Sequence, residues 1–577
     1  AHVRMATEGD WTFRVEGWSD PWGTWRHNAL AKLPLGMDVE LLCLEGRELF
    51  HEAAETAEQS RVMAASHLLR AAAEALNPNT PVSEIEDLVN SRPIERAMAR
   101  FGPREAISAT QEYPIRVERR RALYSSWYEF FPRSQGAMRD EEGNWISGGF
   151  DSSHSRLEAI AAMGFHVAYL PPIHPIGSAF RKGRNNSLDP TPDDPGSPWA
   201  IGSIEGGHDA IHPALGDLES FERFVAKAKS LGLELALDLA LQASPDHPWV
   251  QEHPEWFTTR LDGTIAYAEN PPKKYQDIYP LNFDNDPEGI YQEVLRIVQL
   301  WIDRGVTIFR VDNPHTKPVE FWDWLLERVH ETNPEVIFLA EAFTKPQMMA
   351  ALGKVGFQQS YTYFTWRVAK WELTEYLTEL SRDMAPYYRP NFFVNTPDIL
   401  PFHLQSGNPA IFAIRAILAA TLSPSWGVYS GFELFEHTPL AQGREEYLNS
   451  EKYEYRPRDF TEEPNLNLLL GTLNGIREKH PALQQLRDIH FHHAPHDSVM
   501  AYSKHDGDDV MLVVCSLDPD NTVESEVYLD LPALGLPPGA AVEVHDELSG
   551  DTYIWGERNW VRLYPGKPAH IFHVTPH

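Results

Sequence analysis

Two short apolar segments of this sequence each end on a carboxylic acid. "TIFRVD" (307–312) ends at Asp312, and "VIFLAE" (336–341) ends at Glu341. Apolar runs of this length are typical of parallel strands that are buried on both faces. A pair of carboxylates can carry nucleophilic and acid–base chemistry if the fold brings the two groups to the same place.

The region around these two segments alternates between short apolar strands and amphipathic helices. Eight such alternations are predicted between residues 122 and 485, which indicates an α/β fold of the (β/α)8 TIM-barrel type with long loop insertions. An open doubly wound sheet is the alternative, but no G-x-G-x-x-G turn follows any of the predicted strands. Because barrel enzymes carry their chemistry at the C-terminal ends of the strands, we expect Asp312 and Glu341 on one catalytic face.

Three further ionisable groups stand at predicted strand ends: Asp238, Arg310 and Asp398. The structural alternative is that each acid caps the helix that follows it. Arg310 lies two residues before Asp312, on the same strand face, and is expected to keep that carboxylate ionised. Retaining glycosyl transfer needs a nucleophilic carboxylate and an acid/base whose pKa is raised, with the two carboxyl groups roughly 5 Å apart.

The remainder of the chain predicts three further regions. Residues 1–26 and 104–121 indicate an N-terminal β-sandwich that is incomplete, interrupted by a helical bundle at 27–103. Residues 486–577 alternate like the short strands of a C-terminal β-sandwich. The histidines of "HFHHAPH" (490–496) suggest a polar strand edge rather than a metal site, since no acid or cysteine completes a ligand set.

Composition narrows the classes of function. The chain has 83 acidic and 50 basic residues, a net charge of −33, which argues against nucleic acid and anionic membrane surfaces as partners. Its two cysteines, Cys43 and Cys515, lie in apolar runs and fit a reducing cytoplasm, and no signal peptide is visible. The segment 410–422 is too short to span a bilayer and carries Arg415, so we expect a core helix.

The strand-end motifs resemble those of a known superfamily. "FRVD", "LAEAF" and "FVNTPD" are similar, in order and spacing, to motifs of the α-amylase superfamily, glycoside hydrolase family 13. The resemblance implies that Asp312 is the nucleophile, Glu341 the acid/base and Asp398 a third acid that contacts sugar hydroxyls. "DLALQAS" resembles the strand-three motif, with Asp238 as its structural acid.

The departures from the amylase pattern narrow the resemblance further. Amylases have histidine where this chain has Ala243 and Pro397, and a small apolar residue where it has Asn313. "FRVDNPHTKPVEFW", "LAEAFTKPQMM" and "ENPPKKYQDIYPLNFD" instead resemble one branch, the α-1,4-glucan:maltose-1-phosphate maltosyltransferases. This resemblance runs from about residue 10 into the C-terminal sandwich.

Membership of that branch would imply a donor, an acceptor and the residues that bind them. The donor is α-maltose 1-phosphate, and the acceptor is an α-1,4-glucan or maltooligosaccharide that grows by two glucose units. The phosphate would be bound by Lys273, Tyr275, Asn313 and Ser197, and the maltosyl unit by Lys182, Gln242, Asn270 and Lys452. No metal or cofactor is implied, and the helical insertion would form a homodimer surface.

Two alternatives remain at the level of sequence. The first is a hydrolase or transglycosylase that acts on unphosphorylated α-glucans; Asn313 and the pair Lys273 and Tyr275 argue against it. The second is a binding protein that has lost catalysis. Such a protein is expected to lack Asp312 or Glu341, and both are present.

Overall fold

A computed structural model describes residues 5–271 and 273–577, apart from the side chain of Asn270. The chain divides into two compact units, Ala1–Val117 and Glu118–His577. Each unit is described separately below.

Five helices and two small sheets build the described part of the first unit. The strands are β1 (Gly9–Phe13), β2 (Glu16–Ser19), β3 (Glu105–Ala109) and β4 (Tyr113–Val117); β1 pairs with β4 and β2 with β3, both antiparallel. The helices are α1 (Pro21–Lys32), α2 (Val39–Gln59), α3 (Met63–Ala75), α4 (Val82–Val89) and α5 (Arg92–Phe101). Helix α1 begins ahead of the boundary expected at 27, because Asp20 caps it and Pro21 occupies its first turn.

Aromatic side chains form the core of the helical part. Trp22, Trp25 and Phe50 are buried against one another, and the Trp25 indole donates to the carbonyl of Leu42 at 2.9 Å. Helix α2 has a glycine, Gly46, where α1 crosses it, and a Cβ there would lie 2.3 Å from the Trp25 ring. The close approach of the two helices therefore requires glycine at this position.

The second unit begins with a parallel barrel. Its strands before residue 430 are β5 (Ser125–Glu129), β6 (Met138–Arg139), β7 (Trp145–Ile146), β8 (Val167–Leu170), β9 (Glu234–Leu239), β10 (Gln242–Ala243), β11 (Ala268–Asn270), β12 (Lys273–Tyr275), β13 (Tyr279–Pro280), β14 (Ile308–Asp312), β15 (Ile337–Glu341), β16 (Gln359–Ser360), β17 (Asn391–Phe393) and β18 (Ser425–Tyr429). Among the described residues, eight of them form one sheet in the order β16-β15-β14-β9-β8-β5-β18-β17, with every pairing parallel. A further bridge between Ser360 and Pro390 brings the two ends of the sheet together. The predicted (β/α)8 barrel is confirmed.

Helices cover the outside of the barrel. They are α6 (His154–Ala162), α7 (Leu218–Ser230), α8 (Pro248–Glu252), α9 (Pro287–Asp303), α10 (Val319–Thr332), α11 (Pro346–Lys354), α12 (Lys370–Ser381), α13 (Pro409–Leu422) and α14 (Asn467–Lys479). The strands are buried on both faces, which explains why their sequences read as continuous apolar runs. Small pairs such as β6–β7, β10–β13 and β11–β12 lie in the loops that follow the barrel strands.

Helix α13 is the core helix expected at 410–422. It is buried almost along its whole length and packs between the barrel and the C-terminal strands. Its one charged residue, Arg415, lies over the Phe364 ring and donates to the carbonyls of Phe364 and Arg367. Burial lowers the pKa of the Arg415 guanidinium to about 9, and the two carbonyls accept hydrogen bonds from its Nη1 and Nη2. None of the helices described is long and apolar enough to cross a membrane.

The C-terminal strands form a sandwich. They are β19 (Ile489–His492), β20 (Val499–Asp506), β21 (Asp509–Ser516), β22 (Val523–Tyr528), β23 (Val542–Asp546), β24 (Thr552–Trp555), β25 (Arg558–Leu563) and β26 (Ala569–Pro576). Six make an antiparallel sheet in the order β19-β20-β21-β26-β23-β24, and β22 pairs with β25. Their inward side chains form a separate apolar core that includes Val499, Leu512, Val561 and Phe572. The segment "HFHHAPH" includes the edge strand β19.

Candidate active site

Strands β14 and β15 place the two candidate catalytic acids, Asp312 and Glu341, next to each other. The strands are parallel neighbours in the sheet, and Asp312 pairs in register with Glu341 at their C-terminal ends. Both side chains point into the open end of the barrel and are largely buried, with 11% and 15% of their surface exposed. The sheet register, rather than any loop, therefore sets the position of the pair.

One guanidinium group lies between three of the strand-end acids. Arg310 donates from Nη1 to Asp238 at 2.9 Å and to Asp312 at 2.8 Å, and its Nη2 lies 3.6 Å from Glu341. Asp238 accepts a further hydrogen bond of 2.5 Å from the hydroxyl of Tyr169. Asp312 and Glu341 therefore face the same guanidinium from neighbouring strands.

The same surroundings move the pKa values of the pair in opposite directions. Burial alone would raise the pKa of Asp312, but Arg310 and Lys317 together lower it below its ordinary value. Burial raises the pKa of Glu341 to about 7; Arg310 opposes this shift and the charge of Asp312 adds to it. The pair therefore combines a carboxyl group of lowered pKa with one of raised pKa, a combination that suits a nucleophile and an acid/base.

Asn313 contacts both members of the pair. Its side-chain amide lies 3.4 Å from Asp312 Oδ2, and its backbone N–H donates to Glu341 Oε2 at 3.2 Å. The residue has a left-handed conformation, with φ 45° and ψ 52°. Asparagine tolerates this conformation better than most residues, so a β-branched side chain would be disfavoured here for backbone reasons as well.

Asp398 lies apart from the guanidinium, beyond the end of β17. Its carboxylate is 54% exposed and accepts two hydrogen bonds from Lys452 Nζ, at 2.7 and 3.0 Å. Although burial works against the charge of Lys452, Asp398 raises the pKa of that ammonium above its ordinary value. Asp398 therefore has an accessible carboxylate beyond the end of β17, hydrogen bonded to Lys452.

Trp199 connects several of the residues expected to bind sugar or phosphate. The Lys452 ammonium lies 4.7 Å from the centre of the Trp199 ring. Gln242 Nε2 donates to the backbone carbonyl of Trp199 at 3.2 Å, and the backbone N–H of Trp199 donates to Ser197 Oγ at 3.4 Å. Lys182, which precedes Trp199 in the sequence, donates to Gln276 Oε1 at 2.7 Å. Burial lowers the pKa of Lys182, with the charge of Asp277 opposing that shift.

The hairpin of β11 and β12 carries the remaining expected ligands. Lys273 forms an ion pair with Glu446, and Tyr275 lies near enough to Lys452 to act on its charge. Asn270 pairs with Lys273 through the backbone, but its side chain lies outside the described part of the chain. Lys273 is therefore bound to a carboxylate in this structure.

The alternative that the strand-end acids cap helices is wrong. The N-cap residues of α8, α10 and α11 are His247, Pro318 and Lys345, and helix α13 is capped by Asn408. The acids are therefore free of a helix-capping role, and their clustering has to be explained by the chemistry of the barrel opening.

Three residues at this site did not emerge from the sequence. Trp199 and Lys317 lie within the segments "DPGSPWAIG" and "FRVDNPHTKP", but on loops whose path no periodicity predicts. Glu129 ends strand β5, is 1% exposed and has an enclosed oxygen, Oε2, without a hydrogen-bond partner. Burial raises its pKa well above the ordinary value. The sequence feature that indicates a buried acid here is the position of Glu129 inside the apolar run "WYEFF".

Solved structures identify the fold. A maltogenic α-amylase from Thermotoga neapolitana superposes with a TM-score of 0.60 over 79% of this chain and 99% of its own, at 19% identity. An α-amylase from Geobacillus thermoleovorans, complexed with acarbose, gives a TM-score of 0.61 over 78% and 98% of the two chains, at 16% identity. These structures identify the fold of the barrel and the C-terminal strands as that of the α-amylases.

Sequence relatives identify the family. The model described as "Alpha-1,4-glucan:maltose-1-phosphate maltosyltransferase, domain N/S" matches residues 1–119, and "GLGE, C-terminal" matches 491–574. A maltosyltransferase of that name from Streptomyces coelicolor is 56% identical over all of this chain and 86% of its own length. One from Mycobacterium tuberculosis is 52% identical over 98% of this chain and 81% of its own. The chain belongs to the α-1,4-glucan:maltose-1-phosphate maltosyltransferase family.

Proposed function

We propose that this chain transfers a maltosyl unit from α-maltose 1-phosphate to the non-reducing end of an α-1,4-glucan and releases phosphate. The observation that carries the proposal is the register pair Asp312 and Glu341, which shares one guanidinium and has opposite pKa shifts. Two carboxylates in such an arrangement suit double displacement with net retention of the α configuration.

In the first step Asp312 is the nucleophile. Its carboxylate attacks the anomeric carbon of the donor, the bond to the phosphate oxygen breaks, and the electron pair leaves with the phosphate. The product is a maltosyl ester of Asp312 with inverted configuration. Arg310 holds the attacking carboxylate in place and ionised, through its 2.8 Å bond. Because phosphate is a good leaving group, this step needs little help from the proton on Glu341.

In the second step Glu341 is the base. It accepts the proton of the acceptor 4-hydroxyl while that oxygen attacks the anomeric carbon and displaces Asp312, which restores the α configuration. A pKa of about 7 suits a group that must exchange a proton near neutral pH. Asp398, with its accessible carboxylate, is placed to bind hydroxyls of the sugar that reacts.

Donor recognition is assigned to two groups of residues. The phosphate is bound by Lys273, Tyr275, Asn313 and Ser197, and the maltosyl unit by Lys182, Gln242, Asn270 and Lys452. In the structure Glu446 pairs with Lys273, so a donor phosphate would have to displace that carboxylate. Since a phosphate dianion carries more charge than the carboxylate, the exchange is favourable in the presence of donor.

A single assay tests the reaction. The protein is incubated with maltose 1-phosphate and a short maltooligosaccharide, and both phosphate release and product length are followed. We expect phosphate release together with a ladder of products that grows by two glucose units. Phosphate without longer products would indicate a hydrolase, and the absence of phosphate release would indicate a binding protein.

We also propose that the chain forms a homodimer through its helical part and acts in the cytoplasm. Leu41 and Leu44 on α2 are 54% and 57% exposed, and because they are three residues apart they lie on the same face of the helix. Cys43 and Cys515 are free and buried, which fits a reducing compartment. Light scattering of the double variant L41D/L44D should give half the mass of the parent protein; an unchanged mass would refute this surface.

A further inference from the structure

The cations around the catalytic pair differ in how they are bound. Arg310 is bonded to Asp238 and Asp312, and Lys452 is bonded to Asp398. Within the described residues, Lys317 has no ion pair with a carboxylate; its Nζ lies 3.4 Å from the carbonyl oxygen of Asn313. Lys317 is partly buried, and its ammonium is hydrogen bonded to a backbone carbonyl one residue beyond Asp312.

The carbonyl of Asn313 is the acceptor of three donors. The backbone N–H and the hydroxyl of Thr316 donate to it at 3.2 and 2.8 Å, and Lys317 is the third donor. On the other side of the same residue, the backbone N–H of Asn313 donates to Glu341. Hydrogen bonds to the Asn313 carbonyl therefore hold the left-handed turn at this residue, and the backbone N–H of Asn313 is directed at Glu341.

Acids on three different strands act on the charge of Lys317. Burial lowers the pKa of its ammonium, while Asp312 at the end of β14, Glu341 at the end of β15 and Asp238 on β9 oppose that shift. His315, on the same loop, has its pKa lowered by burial and by the charge of Lys317. Conversely, the charge of Lys317 lowers the pKa of Asp312, although less than the charge of Arg310 does.

We propose that Lys317 is a positioning residue: its ammonium, hydrogen bonded to the Asn313 carbonyl, holds the turn in which the Asn313 backbone N–H meets Glu341, and it brings a positive charge to the loop that follows Asp312. Lys317 acts through these groups and not by contact with the donor. The inference rests on the roles proposed above for Asp312 and Glu341.

Three variants separate charge from structure. K317M removes the ammonium and keeps an unbranched apolar stem, and K317R keeps the charge. T316V is the matched control, because it removes a neutral donor to the same Asn313 carbonyl without changing any charge. Each is compared with the parent protein in the dependence of kcat/KM on pH, measured by phosphate release from maltose 1-phosphate.

A second readout does not depend on the activity. A water-soluble carbodiimide with an amine nucleophile labels protonated carboxyl groups, and mass spectrometry of the peptide that contains Asp312 gives the labelled fraction at each pH. The midpoint reports the protonation of Asp312 in the folded protein whatever substrate the enzyme uses. If the parent protein releases no phosphate, the proposed function fails and the labelling still tests Lys317.

For K317M we expect the acid limb of kcat/KM and the labelling midpoint of Asp312 to move to higher pH by about one unit, the effect of losing one nearby opposite charge. We also expect kcat to fall more than KM rises, because Lys317 does not contact the donor. K317R should restore both midpoints, and T316V should leave them in place. An unchanged labelling midpoint in K317M, or an equal shift in T316V, would overturn the proposal.

Discussion

Two of the clusters in the second unit in which carboxylates surround one basic side chain differ in an instructive way. At the barrel opening, Arg310 lies among Asp238, Asp312 and Glu341. At the junction of the barrel with the sandwich, His480 lies between Asp509 and Glu547, at 2.8 and 3.2 Å. The two clusters are built from the same kinds of group, but they differ in how completely the acids are compensated.

At the junction every acid has enough partners. Burial works to raise the pKa of Asp509, but hydrogen bonds from His480 and from the Ala482 N–H lower it below its ordinary value. The pKa of Glu547 is lowered in the same way, against the effect of burial, by Lys479 and His480. These acids are ionised over the physiological range, and the cluster joins the end of α14 to β21 and the loop after β23.

At the barrel opening three acids share one arginine, and compensation is incomplete. Burial raises the pKa of Asp238 to about 7 and that of Glu341 to about 7, with Arg310 opposing both shifts. Acids that retain a proton near neutral pH are costly for a purely structural cluster but useful for proton transfer. Incomplete compensation, and not the presence of acids, therefore distinguishes the cluster at the barrel opening from the cluster at the junction.

The largest expected effect is the loss of the nucleophile. D312N keeps the shape of the side chain but cannot form the maltosyl ester, so kcat should fall roughly 10⁴-fold or more. Phosphate release measures the loss, and the thermal midpoint confirms that the fold is intact. D509N, at the other cluster, is the matched control and should retain activity; equal losses in both variants would erase the distinction between the clusters.

The next effect concerns the acid/base. E341Q should slow complete transfer roughly 10²- to 10⁴-fold, because no group takes the proton of the acceptor hydroxyl. The donor step should survive, so rapid mixing with maltose 1-phosphate should release a burst of phosphate close to one equivalent per chain. Parent transfer limited by the second step should rise with pH through about 7, where Glu341 loses its proton. A variant with neither a burst nor an altered pH dependence would contradict this role.

The smallest effect concerns stability at the junction. D509N removes charge-assisted hydrogen bonds to a largely buried histidine and should cost about 1.5–3 kcal/mol of unfolding free energy at neutral pH. Because the folded-state pKa of Asp509 lies below the unfolded value, its contribution is present above about pH 4 and disappears as the pH falls. Denaturant titrations at several pH values measure this dependence.

An exposed ion pair provides the control for that measurement. Asp151 pairs with Arg223 on the surface of the same unit, and both side chains are more than half exposed. D151N should therefore change stability by well under the effect of D509N, since exposed pairs contribute about 0–1 kcal/mol. If D509N and D151N lower the free energy of unfolding equally at neutral pH, the junction cluster does not stabilise the packing of the sandwich on the barrel.

The sequence predicts the barrel and the acid pair for the same physical reason. Strands buried on both faces are apolar throughout, so an acid such as Asp312 or Glu341 stands out where the strand ends. Parallel strands then bring these ends to one face without further information. Motif resemblance supplied the separate roles, which apolar patterning alone does not distinguish.

What the sequence does not predict lies on loops and in charge compensation. The left-handed turn at Asn313 and the contact of Lys317 with its carbonyl depend on loop geometry, for which no periodic signal exists. Lys452 pairs with Asp398, which lies 54 positions away in the sequence. Lys273 pairs with Glu446, which lies still farther away. Whether an acid is fully or partly compensated follows from such contacts, so it becomes visible only in three dimensions.

The most direct test of the account is to trap the intermediate. E341Q is incubated with maltose 1-phosphate without acceptor, and the protein is digested and analysed by mass spectrometry. We predict that one maltosyl unit becomes attached to the peptide that contains Asp312, and that D312N/E341Q carries none. A maltosyl group on another peptide, or phosphate release with no covalent adduct at any time, would contradict the double displacement at Asp312.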